Sequence, residues 1–219
     1  MQTYNVNKIR DHFVITENGH HILVDTGCPI VITNANSNPW ELHFLADIQR
    51  NVDSNIAEVR GMTYLTQHKV LFDYDNAQVV VADPNDNIPI DVVAEFDMQI
   101  VNGRILFDVN IGGVDRTIIF DTGASITDYL SESIARTGMF FDTIRDFHPD
   151  PRLKRYTVER FALPVQIGND TFHIPFGLQP AEVETDIRAV GADGVIGVGL
   201  YKKYKVLFDF RGKKLILGR

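Results

Sequence analysis

Cysteine is almost missing from this sequence. Cys28 is the only one among 219 residues, which excludes an internal disulfide and a cysteine-based zinc site. Positive charge is also short: 21 Lys and Arg stand against 29 Asp and Glu, a formal net charge of −8. With no basic stripe carrying interleaved aromatics, nucleic-acid binding is excluded, because phosphate-binding surfaces need a cationic excess. No apolar run reaches the ~18 residues that suggest a membrane span, so no membrane partner is expected. Residues 1–8 lack the basic-then-apolar order of a secretory signal. The expectation is a soluble chain in a reducing, cytoplasmic compartment. Helical periodicity is sparse as well, with residues 41–48 and 129–138 read as short helices. No metal or other cofactor is expected. His20 and His21 are adjacent, and successive strand residues point to opposite faces.

What the chain does have is a repeat. Residues 22–33, ILVDTGCPIVIT, align with residues 118–129, IIFDTGASITDY, at an offset of 96 positions. Residues 59–81 align with residues 195–217 at an offset of 136, and the string KVLFD is common to both. Two matched blocks in the same order at different offsets indicate a duplicated unit. The second copy carries 40 additional residues between its blocks, the difference of the offsets.

Each unit reads as β. Short apolar runs at residues 21–24 and 116–120 end at Asp-Thr-Gly, and each is preceded by another strand and a hairpin signal, Asn18-Gly19 or Gly112-Gly113. A second hairpin follows each KVLFD, turning at Asp75-Asn76 or Arg211-Gly212. Residues 83–89 are rich in turn formers and read as a linker. This divides the chain into an N-terminal lobe at 1–82, a linker and bridging strand at 83–95, and a C-terminal lobe at 96–219.

The repeated triplets carry the chemistry. An aspartate at a strand end on a tight turn is rigidly presented, and the glycine lets backbone approach closely. Two such turns related by a two-fold axis bring Asp25 and Asp121 together. Carboxylates that close share one proton and titrate as a coupled pair. The ionised member takes a proton from a water, and the protonated member hydrogen-bonds the scissile carbonyl. The reaction class is amide hydrolysis without a covalent intermediate.

On these residues, from about Phe13 to Leu217, the chain resembles the pepsin and retropepsin superfamily of aspartic proteases. The matching motifs are Leu23-Val24-Asp25-Thr26-Gly27, Ile119-Phe120-Asp121-Thr122-Gly123-Ala124-Ser125 and Val195-Ile196-Gly197. The resemblance implies an all-β, pseudo-two-fold duplicated acid-protease barrel with few short helices. It implies a monomeric endopeptidase with an extended peptide between the lobes. Asp25 and Asp121 would be catalytic. Thr26, Gly27, Thr122, Gly123, Ala124 and Ser125 would support them, the two threonines bonding to each other's lobe. Cys28-Pro29 departs from the small pair usual after the triplet, and proline has no N–H to donate. Arg60 departs from the aliphatic usual before Gly61, so it must reach solvent or pair with an acid. Lobe one also lacks an obvious flap. Its cover is expected either from the segment around Pro39-Trp40-Glu41 or from the hairpin of residues 157–167 and 171–176. The alternative is a catalytically weak or inactive module of the same fold that binds a peptide or partner protein. A third option is an enzyme that acts only on one partner or on its own precursor.

Overall fold

The computed structural model describes residues 1–35, 37–148 and 155–219, and strand dominates it. The first half runs β1 (Gln2–Ile9), β2 (His12–Glu17), β3 (His20–Val24), β4 (Val31–Thr33), α1 (Pro39–Asn51), β5 (Ile56–Arg60), α2 (Met62–Leu65), β6 (Lys69–Asp73) and β7 (Gln78–Ala82). The second half opens with β8 (Val92–Val101), β9 (Arg104–Ile111), β10 (Val114–Phe120), β11 (Asp128–Leu130), α3 (Glu132–Ala135) and β12 (Met139–Asp146). It continues through β13 (Tyr156–Ile167), β14 (Asp170–Leu178), α4 (Ala181–Ala189), β15 (Gly194–Ile196), α5 (Val198–Tyr201), β16 (Lys205–Asp209) and β17 (Lys214–Gly218). The expected all-β class is observed.

Local chemistry sets the turns. Asn18 and Gly19 close the β2–β3 hairpin at φ of 51° and 80°, and Gly112 and Gly113 close β9–β10 at 65° and 81°. That left-handed pair matches the twist of the strands it joins. Helix α1 is longer than periodicity predicts. Asn38 caps it, accepting from the N–H groups of Trp40 and Glu41, while Glu41 reaches back to Asn38 and Pro39 occupies the first turn. The helix expected at 129–138 is instead β11 followed by the single turn α3.

The halves pair alike. Strand β3 lies antiparallel to β2 and parallel to β5, and β4 is antiparallel to β5. Strand β10 lies antiparallel to β9 and parallel to β15, and β11 is antiparallel to β15. A third sheet, ordered β1-β7-β6-β16-β17-β8, draws on both halves. The bridging strand expected around residues 91–94 is the first part of β8, which pairs with β17 before turning to pair with β9.

At the centre of the shared sheet the two KVLFD strings pair with each other, Val70 opposite Phe208, Leu71 opposite Leu207 and Phe72 opposite Val206. Running such a string antiparallel to its copy sets the lysine of each against the aspartate of the other. Lys69 lies 3.0 Å from Asp209, and Lys205 lies 3.5 Å from Asp73. The string complements itself, which is a physical reason for its recurrence. Behind it the rings of Phe13, Phe72, Phe208, Phe120 and Phe107 form a continuous chain of contacts 4.9 to 6.3 Å apart, in one apolar cluster fed by both halves. The additional residues of the second copy are mainly α3, β12, β13 and β14, which extend its sheet beyond β11.

Candidate active site

Apolar strand ends deliver both aspartates. The last three residues of β3 and of β10 are buried, so the next residue is held at the edge of the core. The Asp25 N–H donates to Arg60 O at 3.1 Å and the Asp121 N–H to Ile196 O at 2.9 Å. Each carboxyl accepts from the glycine two residues on, Gly27 N–H to Asp25 at 2.8 Å and Gly123 N–H to Asp121 at 2.6 Å. The two turns face each other. A methyl group on Gly27 would collide with the Asp121 carboxyl, and one on Gly123 would sit 2.9 Å from Asp25 Oδ1. Only glycine leaves the carboxyls room to meet.

The threonines interlock the turns. Thr26 N–H donates to Thr122 Oγ1 and Thr122 N–H donates to Thr26 Oγ1, each at 2.9 Å. Their hydroxyls donate onward to carbonyls of the opposite strand, Thr26 to Phe120 O at 3.4 Å and Thr122 to Val24 O at 3.3 Å. Both threonines are buried.

Beneath each turn passes the chain from the later block. Met62 N–H donates to Cys28 O at 2.8 Å, and Val198 N–H donates to Ala124 O at 3.0 Å. A side chain on Gly61 would strike the carbonyls of Cys28 and Ile30, and one on Gly197 would strike that of Asp121.

Electrostatics follow from burial. Asp25 is 6% exposed, and burial, then the Asp121 charge, raises its carboxyl well above the usual range, the hydrogen bond with Asp121 adding to the rise. Burial raises Asp121 as well, against the Gly123 N–H, the hydrogen bond with Asp25, and the charges of His148 and Arg104.

The departures noted in the sequence resolve locally. Arg60 is buried but paired, its Nε donating to Glu58 at 2.8 Å and its other end bound to Glu17, with the guanidinium 5.0 Å from the Tyr64 ring centre. The Cys28 thiol donates to Ile30 O at 3.2 Å, and burial pushes its pKa up to about 12. Its backbone N–H serves Asp25. Pro29 packs instead: a methyl on Gly103 would lie 2.7 Å from Pro29 Cβ.

Both carboxyls open on a cavity of about 520 Å³, within the span usual for ligand sites. Trp40, Phe44 and Ile48 of α1 form one wall, and Val183, Asp186 and Ile187 of α4 form another. Asp146, Phe147, His148 and Tyr156 close it from the β12–β13 hairpin. That hairpin belongs to the second half and reaches the first: Phe147 packs on the cluster around Leu23 and Leu45, and Arg155 donates to Asn51 of α1 at 3.3 Å. The hairpin of residues 157–176, expected as a cover, points elsewhere. Its turn abuts Val93, and a side chain on Gly168 would meet the Val93 carbonyl. Of the two expected covers, the segment at Pro39-Trp40 contributes a wall.

Sequence reading missed several wall residues. Continuing the β2–β3 and β9–β10 registers past their last pairs, Val14 with Leu23 and Ile105 with Phe120, would set His12 against Asp25 and Arg104 against Asp121. His12 contacts the other half, its ring nitrogens lying 3.1 and 3.2 Å from Ser125 Oγ, and burial lowers its pKa to about 4. Residues Arg10-Asp11 and Asn102-Gly103, all at positive φ, form the turns just before His12 and Arg104, and aligning those turns would have found the pair.

No protein-family model matches the chain, and no curated protein matches it. Among solved structures it is similar to basic 7S globulin from soybean, at 14% identity and a TM-score of 0.43, over 78% of this chain and 59% of that one. The chain therefore spans less than two thirds of that protein's length.

Proposed function

We propose that the protein is an aspartic endopeptidase of two lobes related by a pseudo-two-fold axis, and that it cleaves extended peptides in the cavity above Asp25 and Asp121. The observation that carries this reading is the hydrogen-bonded pair of buried carboxyls at the base of a walled cavity. The two carboxyls share one proton. One of them is protonated and the other ionised, and the charges of His148 and Arg104 act on Asp121. The ionised carboxyl takes a proton from a water, whose oxygen bonds to the scissile carbonyl carbon as the protonated one hydrogen-bonds the carbonyl oxygen. The C–N bond then breaks, with a proton passing to the leaving amine. The apolar walls exclude water and hold the peptide in place.

The pH profile tests it. The active form carries one proton on the pair, so activity lies between the pair's two apparent pKa values. Both groups are raised, which places the window above the ordinary carboxylate value of about 4. The kcat/KM of peptide cleavage is expected to rise through the weakly acidic range and fall on the alkaline side. A maximum below about pH 3 would contradict the raised pair.

Cys28-Pro29 favours a second reading. The resemblance implies that the residue at Cys28 often donates to the outer oxygen of the aspartate, whereas the Cys28 thiol donates to Ile30 O. A peptide-binding module without turnover would retain peptides intact across the same pH range.

A further inference from the structure

Gln179 lies two residues before α4 and lines the cavity, yet no group among the described residues uses its side chain. It is 8% exposed, and among the described residues neither its Nε2 nor its Oε1 has a hydrogen-bond partner. Its backbone N–H donates to Leu130 O at 3.3 Å, whereas the carboxamide is engaged by none of the described residues. Apart from Asp186, the wall formed with α4 is apolar, with Ile119, Val183, Ile187 and Val195 in one cluster. The nearby Tyr129 hydroxyl is already committed to Asp146 and Tyr156. Each orphaned buried polar group costs about 1–3 kcal/mol, and such groups are uncommon in folded proteins. Leucine or methionine would occupy the same volume without that cost. For the fold alone, glutamine is the wrong residue here.

We propose that Gln179 reads an amide group of whatever occupies the cavity. Rotation about its side-chain torsions brings the carboxamide to the cavity surface, where Nε2–H donates to the ligand's C=O and Oε1 accepts from its N–H. Both bonds form together because donor and acceptor of the two amides are complementary. The inference rests on the peptide-cleft reading and deepens it: the occupant presents an unblocked amide beside α4. Two sources supply that chemistry, the main chain of an extended residue and the side chain of Asn or Gln.

The test compares the full-length wild type with Gln179→Leu on a mixed library of synthetic heptapeptides. Cleaved products are identified by mass, and uncleaved peptides by co-elution with the protein. Gln179→Leu is expected to melt no lower than wild type, since an orphaned amide is removed. Its KM or Kd is expected to rise about 10-fold, the worth of one or two hydrogen bonds, with kcat changed less. A rise shared by all peptides assigns the main chain as partner. A rise confined to peptides with Asn or Gln at one position assigns the side chain. Unchanged KM and Kd for every peptide would overturn the role of Gln179 and leave the cleft reading intact. If wild type neither cleaves nor retains any peptide, the cleft reading fails, and this inference fails with it.

Discussion

Asp121→Asn is expected to lower kcat/KM for peptide cleavage by at least about 10³-fold, because it removes one carboxyl of the pair that shares the proton while keeping the shape of the side chain. Stability should move the other way. A carboxyl whose folded pKa is raised binds its proton more tightly in the native state than in the unfolded chain. Its contribution is therefore greatest below the unfolded value and is lost as pH rises toward the folded one. Asp25 and Asp121 are both raised, Asp25 by burial and by its neighbour's charge and Asp121 by burial. Wild type thus gives up stability as pH rises above about 4. Asparagine carries no charge to bury and spares Asp25 a charged neighbour, so the variant should match or exceed wild type in Tm at pH 7. Its stability should also depend less on pH over that range. Cleavage by the variant at the wild-type rate would end the hydrolase reading, whatever its stability.

Thr122→Val is expected to cost about 2–4 kcal/mol, lowering Tm by roughly 5–15 °C in thermal unfolding. The two side chains are nearly isosteric, so packing is kept and the hydroxyl alone is lost. That hydroxyl accepts from Thr26 N–H at 2.9 Å and donates to Val24 O at 3.3 Å. Its removal leaves a buried donor without a partner and a carbonyl short of one, in a site closed to water. Thr26→Val should behave alike, because Thr26 Oγ1 accepts from Thr122 N–H at 2.9 Å. The double variant should cost less than the two single costs together, since their hydroxyls contact each other at 3.5 Å. Activity should fall with stability, because these bonds fix the distance between the carboxyls. Single variants within about 0.5 kcal/mol of wild type would show that the interlock contributes little.

How much of this was legible in the sequence depended on whether a feature repeats. The Asp-Thr-Gly triplets and the KVLFD strings occur twice, and repetition exposes the halves, the strands and the approach of Asp25 to Asp121 in the sequence itself. The pairing of KVLFD with its own copy was not anticipated, although its alternation of Lys and Asp at the ends encodes it. Features present in one copy were hidden. Strand β12 begins Met139-Phe140-Phe141, all exposed, and carries little alternation that would mark it as half of a cavity-closing hairpin. The sequence points instead to the segment around Pro39-Trp40-Glu41 or to the hairpin of residues 157–176, whose Gly-Asn-Asp turn is a clear local signal. Helix α1 was read short because its start is written in a cap, Asn38-Pro39-Trp40-Glu41, and not in apolar periodicity. Gln179 had no signal at all. Only the lack of a partner for its amide, a property of three-dimensional surroundings, singles it out.

The most direct test follows the carboxyl carbons of Asp25 and Asp121 by NMR through a pH titration of selectively ¹³C-labelled protein. The account predicts that both resonances move in the same two steps, at least one of them well above the usual carboxylate range, and that Asp121→Asn collapses Asp25 to a single step. Two independent titrations near pH 4, unaffected by each other's substitution, would contradict it.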